Sequence, residues 1–240
     1  MKNSNEFLKK VDTSVGELTH RLSIFVKQYK NLRKKKSRIL DIGCGQNAVL
    51  SNYIDKNDEY YACDYNHKIK NKKIKKYFQI DLNNQELNKV IPGKFDFVFC
   101  GEVIEHIFSP DDLLGEIEKI LKKDGVLILS TPNLAYLPNR IMLLLGISPF
   151  FLENSSVYKL GRFNKLIGQM NVTEGHIKVF TYHAIKELFA LTNFEVIEEN
   201  PTYIFQKHFD LLFGKIHHSL APDTVFTLKM REMLDKQHTP

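Results

Sequence analysis

The amino-acid sequence predicts a single α/β domain built on a mostly parallel, Rossmann-like sheet, and three observations support this prediction. Short apolar segments alternate with amphipathic ones between residues 38 and 133, which is typical of right-handed βαβ units. A chain of 240 residues can bury one sizeable core. Hydrophobic residues make up 43% and charged residues 26% of the chain, as is usual for globular proteins.

The elements follow from local patterns of apolar residues. Residues 5–35 show helical apolar spacing and are expected to form a helical cap over residues 1–36. Period and composition then predict seven strands, at 37–43, 60–65, 76–82, 95–101, 125–133, 194–200 and 223–230. Helices are expected at 47–54, in the lysine-rich stretch 66–75, at 109–125, at 138–146 and at 181–193. For the helix at 109–125, Ser109 or Asp111 is the expected N-cap and Gly125 the expected C-cap. The irregular stretch 134–178 is interpreted as a lid-like insertion in this one domain.

Composition and charge narrow the classes of function. The net charge of +6 comes largely from lysine-rich stretches at 31–38 and 66–77, which lack the interleaved aromatic residues of a base-stacking surface. They are interpreted as solvated surface, so a nucleic-acid partner is not expected. The longest apolar runs, such as Ile141–Gly146, are too short to cross a bilayer. The first ten residues lack a signal-peptide core, and three cysteines without metal-type spacing indicate a reduced, cytoplasmic protein.

The stretch "ILDIGCGQN" has the character of a cofactor-binding turn. Gly43 and Gly45 follow a predicted strand and precede a predicted helix, where the lack of a Cβ lets the backbone approach a ligand. Asp64 ends the next strand, at a distance along the chain where an acid can accept hydrogen bonds from ribose hydroxyls. Ala48 stands where a dinucleotide fold would have a third glycine. The sequence therefore predicts a nucleotide-type cofactor without a pyrophosphate.

With these features in place, the chain resembles class I S-adenosylmethionine-dependent methyltransferases. The motifs that carry the resemblance are "ILDIGCGQN", "ACDYN", "QIDLN", "FDFVFCGEVIEHI" and "LKKDGVLILSTPN", in this order from Arg38 to Asn133. The resemblance implies a seven-stranded sheet of order 3-2-1-4-5-7-6 with the last strand antiparallel, and S-adenosylmethionine as cofactor.

The resemblance also implies roles for particular residues. Asp41, Gly43 and Gly45 would surround the methionine part of the cofactor, and Asp64 would bind the ribose. Asp81 and Leu82 would meet the adenine edge, and the segment from Cys100 to Glu102 would line the sulfonium side. The expected cofactor site also includes Cys44 and Tyr65.

The stretch "EVIEH" places Glu102, Glu105 and His106 at the carboxyl edge of the sheet, where open α/β sheets bind ligands. On a helical turn these three side chains could converge, and a divalent ion would relieve the repulsion between the carboxylates. The motif resembles those of ubiquinone-biosynthesis O-methyltransferases and small-RNA 2′-O-methyltransferases. The latter resemblance implies a fourth ligand, matched here by His176, and an octahedral ion would then keep two open positions. Mixed ligation favours Mn²⁺, Fe²⁺, Co²⁺ or Zn²⁺ over Mg²⁺. The alternative is that the glutamates are favoured by a helix dipole, with His106 acting as a general base or only packing.

The acceptor is expected to be a small molecule that contacts the insertion at 134–178. Cations in this segment would suit an anionic acceptor, such as a phosphorylated, nucleotide-linked or glycan precursor, or they could form an ordinary lysine-rich surface. The resemblance is to enzymes that modify polysaccharides or quinone precursors. Three alternatives remain: metal-assisted O-methylation with Glu102 and His106 as catalytic residues, metal-independent N- or O-methylation with His106 as base, and an RNA-directed or non-catalytic cofactor-binding protein. The oligomeric state is not predicted.

Overall fold

Seven strands form one sheet of order β3-β2-β1-β4-β5-β7-β6, which confirms the predicted fold class and strand order. The computed structural model describes residues 18–34, 36–65, 69, 71–162, 172–204 and 207–231. The first five strands pair in parallel, and β7 runs antiparallel to both of its neighbours. The strands span Arg38–Ile42 (β1), Glu59–Asp64 (β2), Lys76–Gln79 (β3), Phe95–Gly101 (β4), Leu121–Pro132 (β5), Phe194–Pro201 (β6) and Asp223–Met230 (β7).

Six α-helices and three short 3₁₀ helices connect the strands within the described residues. The α-helices span His20–Leu32 (α1), Leu87–Val90 (α2), Pro110–Ile120 (α3), Leu137–Leu144 (α4), Tyr182–Leu191 (α5) and Lys207–Ile216 (α6), and the 3₁₀ helices span Val49–Tyr53, Ile104–His106 and His218–Leu220. The short 3₁₀ helix from Ile104 to His106 follows β4 at the carboxyl edge of the sheet. This edge is where a ligand is expected.

The core lies on both faces of the sheet because successive strand residues point to opposite sides. Phe97 and Phe99 of β4 pack against Phe25 and Tyr29 of α1, with Phe25–Phe99 and Tyr29–Phe97 ring centroids 5.9 and 5.5 Å apart. Val98, between these phenylalanines, belongs to the apolar cluster that contains α3 and α5. Helix α1 is therefore fixed by buried aromatic side chains at the centre of the sheet.

Three of the predicted helices differ in the structure. The stretch 47–54 contains only the 3₁₀ helix Val49–Tyr53, and no helix forms at residues 69 and 71–75, the described part of the lysine-rich stretch. There the Asn71 side chain accepts a hydrogen bond from the Lys73 N–H (3.0 Å) and donates one to Ser51 (3.0 Å), and such local bonds compete with a helix. Helix α3 ends at Ile120, so the predicted C-cap at Gly125 is wrong; Gly125 lies inside β5.

Ser109 is the N-cap of α3, and it was one of the two residues predicted for that position.

The helix α6 and the short helix α2 were not predicted. Part of the predicted N-terminal cap (residues 1–17) and part of the insertion (163–171) lie outside the described residues. The three cysteines are free. Among the described helices, none has the length and apolar character needed to cross a membrane.

Candidate active site

A cleft of about 620 Å³ lies at the carboxyl edge of β1, β2 and β4, within the size range of small-molecule sites. Its lining includes seven of the residues predicted from the sequence: Gly43, Asp64, Tyr65, Asp81, Leu82, Glu102 and His106. The insertion contributes Glu174 to the same lining. The structure thus places five of the nine predicted cofactor residues and part of the "EVIEH" motif around one cavity.

The glycine turn after β1 forms one wall of this cleft. Gly43 and Gly45 have φ values of +68° and +65°, in the left-handed region that favours glycine. The Gly43 N–H donates to the Cys63 carbonyl (2.9 Å), and the Gly45 N–H donates to the Asp64 carboxylate (2.9 Å). A Cβ on Gly43 would lie 2.3 Å from Val103 Cγ2, whereas one on Gly45 would meet nothing within 4 Å. Gly43 is therefore required for both its conformation and its space.

The segment after β3 closes the opposite side of the cleft. The Asp81 carboxylate accepts hydrogen bonds from the Asn83 N–H (3.0 Å) and the Asn84 side chain (2.7 Å), which shapes a turn. Asn83 in turn accepts from the Phe108 N–H (2.8 Å) and donates to the His106 carbonyl (3.3 Å). Asn83 was not predicted as a site residue. It links the segment after β3 to the segment after β4.

Two predicted cofactor residues, Asp41 and Cys100, are buried within the sheet below the cleft. The Tyr60 hydroxyl donates to the Asp41 carboxylate. Burial raises the pKa of Asp41 to about 7, although the hydrogen bond from Tyr60 opposes this shift. Burial also raises the pKa of the Cys44 and Cys100 thiols, so these thiols are protonated at neutral pH.

The raised pKa of Asp41 leads to a prediction about stability. Between pH 4 and 7 the folded chain keeps a proton on Asp41 that the unfolded chain loses, so its contribution to stability is complete in acid and falls as the pH rises, by up to about 1.4 kcal/mol per pH unit. We expect Asp41→Asn to flatten the pH dependence of the free energy of unfolding over this range, as measured by urea denaturation.

The control for this prediction is Asp96→Asn. Asp96 accepts from the Arg38 N–H and pairs with Lys122 on the surface. Parallel stability curves for Asp41→Asn and the wild type would contradict the assignment.

Glu105, His106 and His176 form a group whose candidate ligand atoms all lie within 4.8 Å of one another. It is the one group of at least three potential metal ligands that the described residues contain. The insertion reaches the motif because the Ile177 and Lys178 N–H groups donate to the Glu105 carbonyl (2.8 and 2.9 Å). His176 is thereby brought beside His106, with ring centroids 5.0 Å apart.

Hydrogen bonds set the tautomer of both imidazoles. His106 Nδ1 lies 2.9 Å from the Gly175 carbonyl, and His176 Nδ1 lies 2.9 Å from the Phe151 carbonyl. A carbonyl can only accept, so each Nδ1 donates, and in a neutral imidazole the lone pair then lies on Nε2. Metal-binding histidines typically donate a hydrogen bond in this way from the ring nitrogen that does not bind the metal.

The carboxylate of Glu105 completes this group. One oxygen accepts from the Thr131 hydroxyl (3.0 Å), while Oε1 is buried without a hydrogen-bond partner. Burial raises the pKa of Glu105 well above its ordinary value, and the nearby charge of Glu102 raises it further. An unpartnered, buried carboxylate oxygen 4.0 Å from His106 Nε2 and grouped with the His176 imidazole fits a bound cation.

Glu102 does not join this group, although the sequence predicted it as a ligand. Its carboxylate pairs with Arg21 of α1 (2.9 Å) and accepts from the Ser130 hydroxyl (2.9 Å). The residue lies outside any helix, with a φ of +55°, so the predicted i, i+3, i+4 convergence applies to only part of the motif. Arg21 was missed by the sequence analysis. Its position one turn before Phe25, on the apolar side of α1, was the available signal.

Glu153 holds the segment that carries His176. Its carboxylate accepts hydrogen bonds from three consecutive backbone N–H groups, those of Glu174 (2.6 Å), Gly175 (2.8 Å) and His176 (2.9 Å). These bonds lower the pKa of Glu153, although burial opposes them. Glu153 was also not predicted from the sequence.

The cations of the insertion are largely used within the protein. Arg140 donates to the Ala135 and Ser219 carbonyls, Arg162 donates to the Leu152 carbonyl, and Lys159 pairs with Glu174. Lys165 and Phe163 lie outside the described residues. These contacts occupy three of the five cations on which the expectation of an anionic acceptor rests, and that expectation stays a prediction.

Comparison with known proteins identifies the family. The model of a family described as "Methyltransferase domain" matches residues 7–199. Ubiquinone biosynthesis O-methyltransferases of Haemophilus ducreyi and Burkholderia cenocepacia are 33% and 32% identical to the chain over 107 and 109 residues. These matches cover 40% and 42% of this chain and 45% and 47% of the relatives, so less than half of each curated protein is matched.

Solved structures show the same fold. An S-adenosylmethionine-dependent methyltransferase from Clostridium acetobutylicum superposes with a TM-score of 0.60 at 15% identity, covering 96% of this chain and 98% of that one. A Burkholderia thailandensis 1,6-didemethyltoxoflavin N1-methyltransferase with bound S-adenosylhomocysteine gives 0.57 at 11% identity, covering 96% and 85%. Together with the strand order and the cleft, the family match shows that the chain belongs to the class I S-adenosylmethionine-dependent methyltransferases.

Proposed function

We propose that the chain transfers the methyl group of S-adenosylmethionine to an oxygen of a small-molecule acceptor, with a divalent ion held by Glu105, His106 and His176. The observation that carries this proposal is the convergence of three potential ligands beside the cofactor cleft, with His106 Nε2 4.0 Å from Glu105 Oε1 and both imidazoles oriented by hydrogen bonds at Nδ1. The curated relatives are named as O-methyltransferases, which supports oxygen as the acceptor atom.

The residues of the cleft fit the cofactor. Gly43 and Gly45 give a backbone that a ligand can approach closely. The Asp64 carboxylate, held by the Gly45 N–H, would accept from the ribose hydroxyls, and the turn capped by Asp81 would face the adenine next to Leu82. Asp41 and Cys100 would support this wall from below rather than contact the cofactor.

The reaction is a displacement at the methyl carbon. The acceptor oxygen forms a bond to the methyl carbon as the bond to the sulfonium sulfur breaks, and the electron pair of the broken bond leaves on the sulfur as a thioether. The hydroxyl proton passes to solvent when an ion is bound, or to His106 in the metal-independent alternative. Much of the rate comes from aligning the two reactants within a closed site, and the glycine turn and the insertion supply that alignment.

Two imidazoles and one carboxylate are a ligand set for a transition-metal ion such as Mn²⁺, Fe²⁺, Co²⁺ or Zn²⁺. When bound, such an ion would lower the pKa of an acceptor hydroxyl and orient it toward the methyl group. Three protein ligands would leave three positions of an octahedral ion, which is one more than the set with Glu102 would leave. Neighbouring oxygens on the acceptor would suit this arrangement.

The ion is tested by titrating Mn²⁺ into metal-stripped protein saturated with S-adenosylhomocysteine. We expect His106→Ala and His176→Ala each to weaken Mn²⁺ binding by on the order of 100-fold, at or beyond the upper end of the effect of losing an outer partner. His183→Ala is the matched control, because His183 lies on α5 in ring contact with Tyr182 and His217 instead.

Equal Mn²⁺ affinity in all four proteins would contradict the metal site. The second candidate would then be metal-independent methylation with His106 as general base. His106 lines the cleft and its Nδ1 is bonded to the Gly175 carbonyl, which leaves Nε2 as the nitrogen that could act as a base and favours that alternative over a non-catalytic role.

A further inference from the structure

Two partners hold the Glu102 carboxylate, which lies outside the group of Glu105, His106 and His176. Arg21 Nη1 lies 2.9 Å from Oε2, and the Ser130 hydroxyl donates to Oε1 at 2.9 Å. The backbone of Glu102 has a φ of +55° and its N–H donates to the Ser130 carbonyl (3.1 Å). A left-handed glutamate costs about 1–2 kcal/mol, so the surrounding contacts must impose this conformation.

Arg21 is placed by the core rather than by the cleft. It lies in the first turn of α1, which Phe25 and Tyr29 fasten to the centre of the sheet. A guanidinium keeps its charge at any physiological pH. Glu102, which lines the cleft, is therefore paired with a permanent cation whose position does not depend on a ligand.

The acids around Arg21 outnumber it. Glu102, Glu105 and Asp223 all lie near enough for their charges to act on the guanidinium. Only Glu102 is paired with it, while Glu105 Oε1 and Asp223 Oδ1 are buried without hydrogen-bond partners. One guanidinium cannot pair with three carboxyl groups, and it is used on the one that the sequence motif would offer to the ion.

We propose that Arg21 occupies Glu102 in place of the metal ion, so that α1 limits the site to three protein ligands and lowers its affinity for the ion. This inference rests on the function proposed above and adds the regulation of that site. Arg21 is a positioning residue here, since it acts through Glu102. In its absence, the freed carboxylate would have no cation other than the bound ion, and Glu102 would become a fourth ligand.

The test compares Mn²⁺ affinity and the visible spectrum of the Co²⁺-loaded protein among variants of the full chain. Arg21→Met keeps an unbranched apolar stem but removes the charged guanidinium. We expect it to bind Mn²⁺ about tenfold more tightly, the lower end of what an outer partner contributes, with a changed Co²⁺ spectrum. Adding Glu102→Gln to this variant should restore the wild-type spectrum. Glu102→Gln alone should leave the spectrum unchanged and weaken Mn²⁺ binding by much less than tenfold.

Arg33→Met is the matched control. It removes a guanidinium–carboxylate pair from the same helix, with Nε of Arg33 2.9 Å from Asp58, and should not alter Mn²⁺ affinity. If Arg21→Met does not fold, Glu102→Gln alone still decides. A tenfold or greater loss of affinity, or a changed Co²⁺ spectrum, would show that Glu102 is already a ligand and would overturn the inference.

The outcomes separate this inference from the proposed function. Wild-type binding that depends on His106 and is equal in Arg21→Met overturns only the role of Arg21. Binding that appears only in Arg21→Met, and depends on Glu102, supports the role of Arg21 and contradicts a resident ion in the wild type. Absence of binding in both proteins overturns both proposals.

Discussion

Gly43→Ala is expected to destabilise the chain and to weaken binding of S-adenosylhomocysteine by more than about tenfold, equivalent to 1.4 kcal/mol. The new methyl group would lie 2.3 Å from Val103 Cγ2, an overlap that typically costs about 1–3 kcal/mol. The left-handed backbone adds about 1–2 kcal/mol. Relief of the overlap would move either the glycine turn or the segment that follows β4, both of which line the cleft.

Gly45→Ala provides the matched comparison, because its backbone has nearly the same φ but a Cβ there meets nothing within 4 Å. Gly45→Ala should lose only the stability that a left-handed backbone costs at alanine, about 1–2 kcal/mol. Combining Gly43→Ala with Val103→Ala removes the overlapping Cγ2 and should recover part of the binding. Calorimetric titration measures the affinity for S-adenosylhomocysteine, and urea denaturation measures the free energy of unfolding. Equal losses in the two single variants, or no recovery in the double variant, would contradict the steric explanation.

Glu153→Ala is expected to weaken Mn²⁺ binding by about 10–100-fold although Glu153 is not a proposed ligand. The substitution leaves three consecutive N–H groups, including that of His176, without their acceptor. The His176 imidazole would then no longer be presented to His106 in one orientation. Titration of metal-stripped protein with Mn²⁺ measures the effect.

The control for this prediction is Glu116→Ala. Glu116 also accepts a backbone N–H, from Asn88 at 3.1 Å, but lies on α3 and pairs with Lys119. This variant should change stability without changing Mn²⁺ affinity. Full Mn²⁺ affinity in Glu153→Ala would show that His176 is positioned by other contacts.

The fold was predictable because its signals are local and ordered along the chain. Apolar segments ending in Asp64 and Gly101 mark strands, and motif order selects the topology that the structure confirms. The predicted lysine-rich helix was wrong because Asn71 accepts a local bond from the Lys73 N–H and donates to Ser51, a residue twenty positions away. No periodicity in the lysines could reveal that bond.

The candidate site was predictable in its chemistry but only partly in its geometry. His106 and His176 are 70 positions apart in the chain, and it was the resemblance to small-RNA 2′-O-methyltransferases that predicted their proximity. The left-handed backbones of Glu102 and Phe151 could not be read from residue types that rarely adopt this conformation. Glu102 pairs with Arg21 from this conformation, and the carbonyl of Phe151 orients His176.

The bonds from each Nδ1 to a carbonyl limit the proton chemistry of the site. Each imidazole has a single remaining lone pair, which can bind an ion or take up a proton but cannot do both at once. With an ion in place, neither His106 nor His176 could remove the acceptor's proton, and that proton would pass to solvent before or during methyl transfer. Ion-assisted and histidine-assisted catalysis are therefore mutually exclusive in this cleft, and one enzyme molecule can use only one of them in a given turnover.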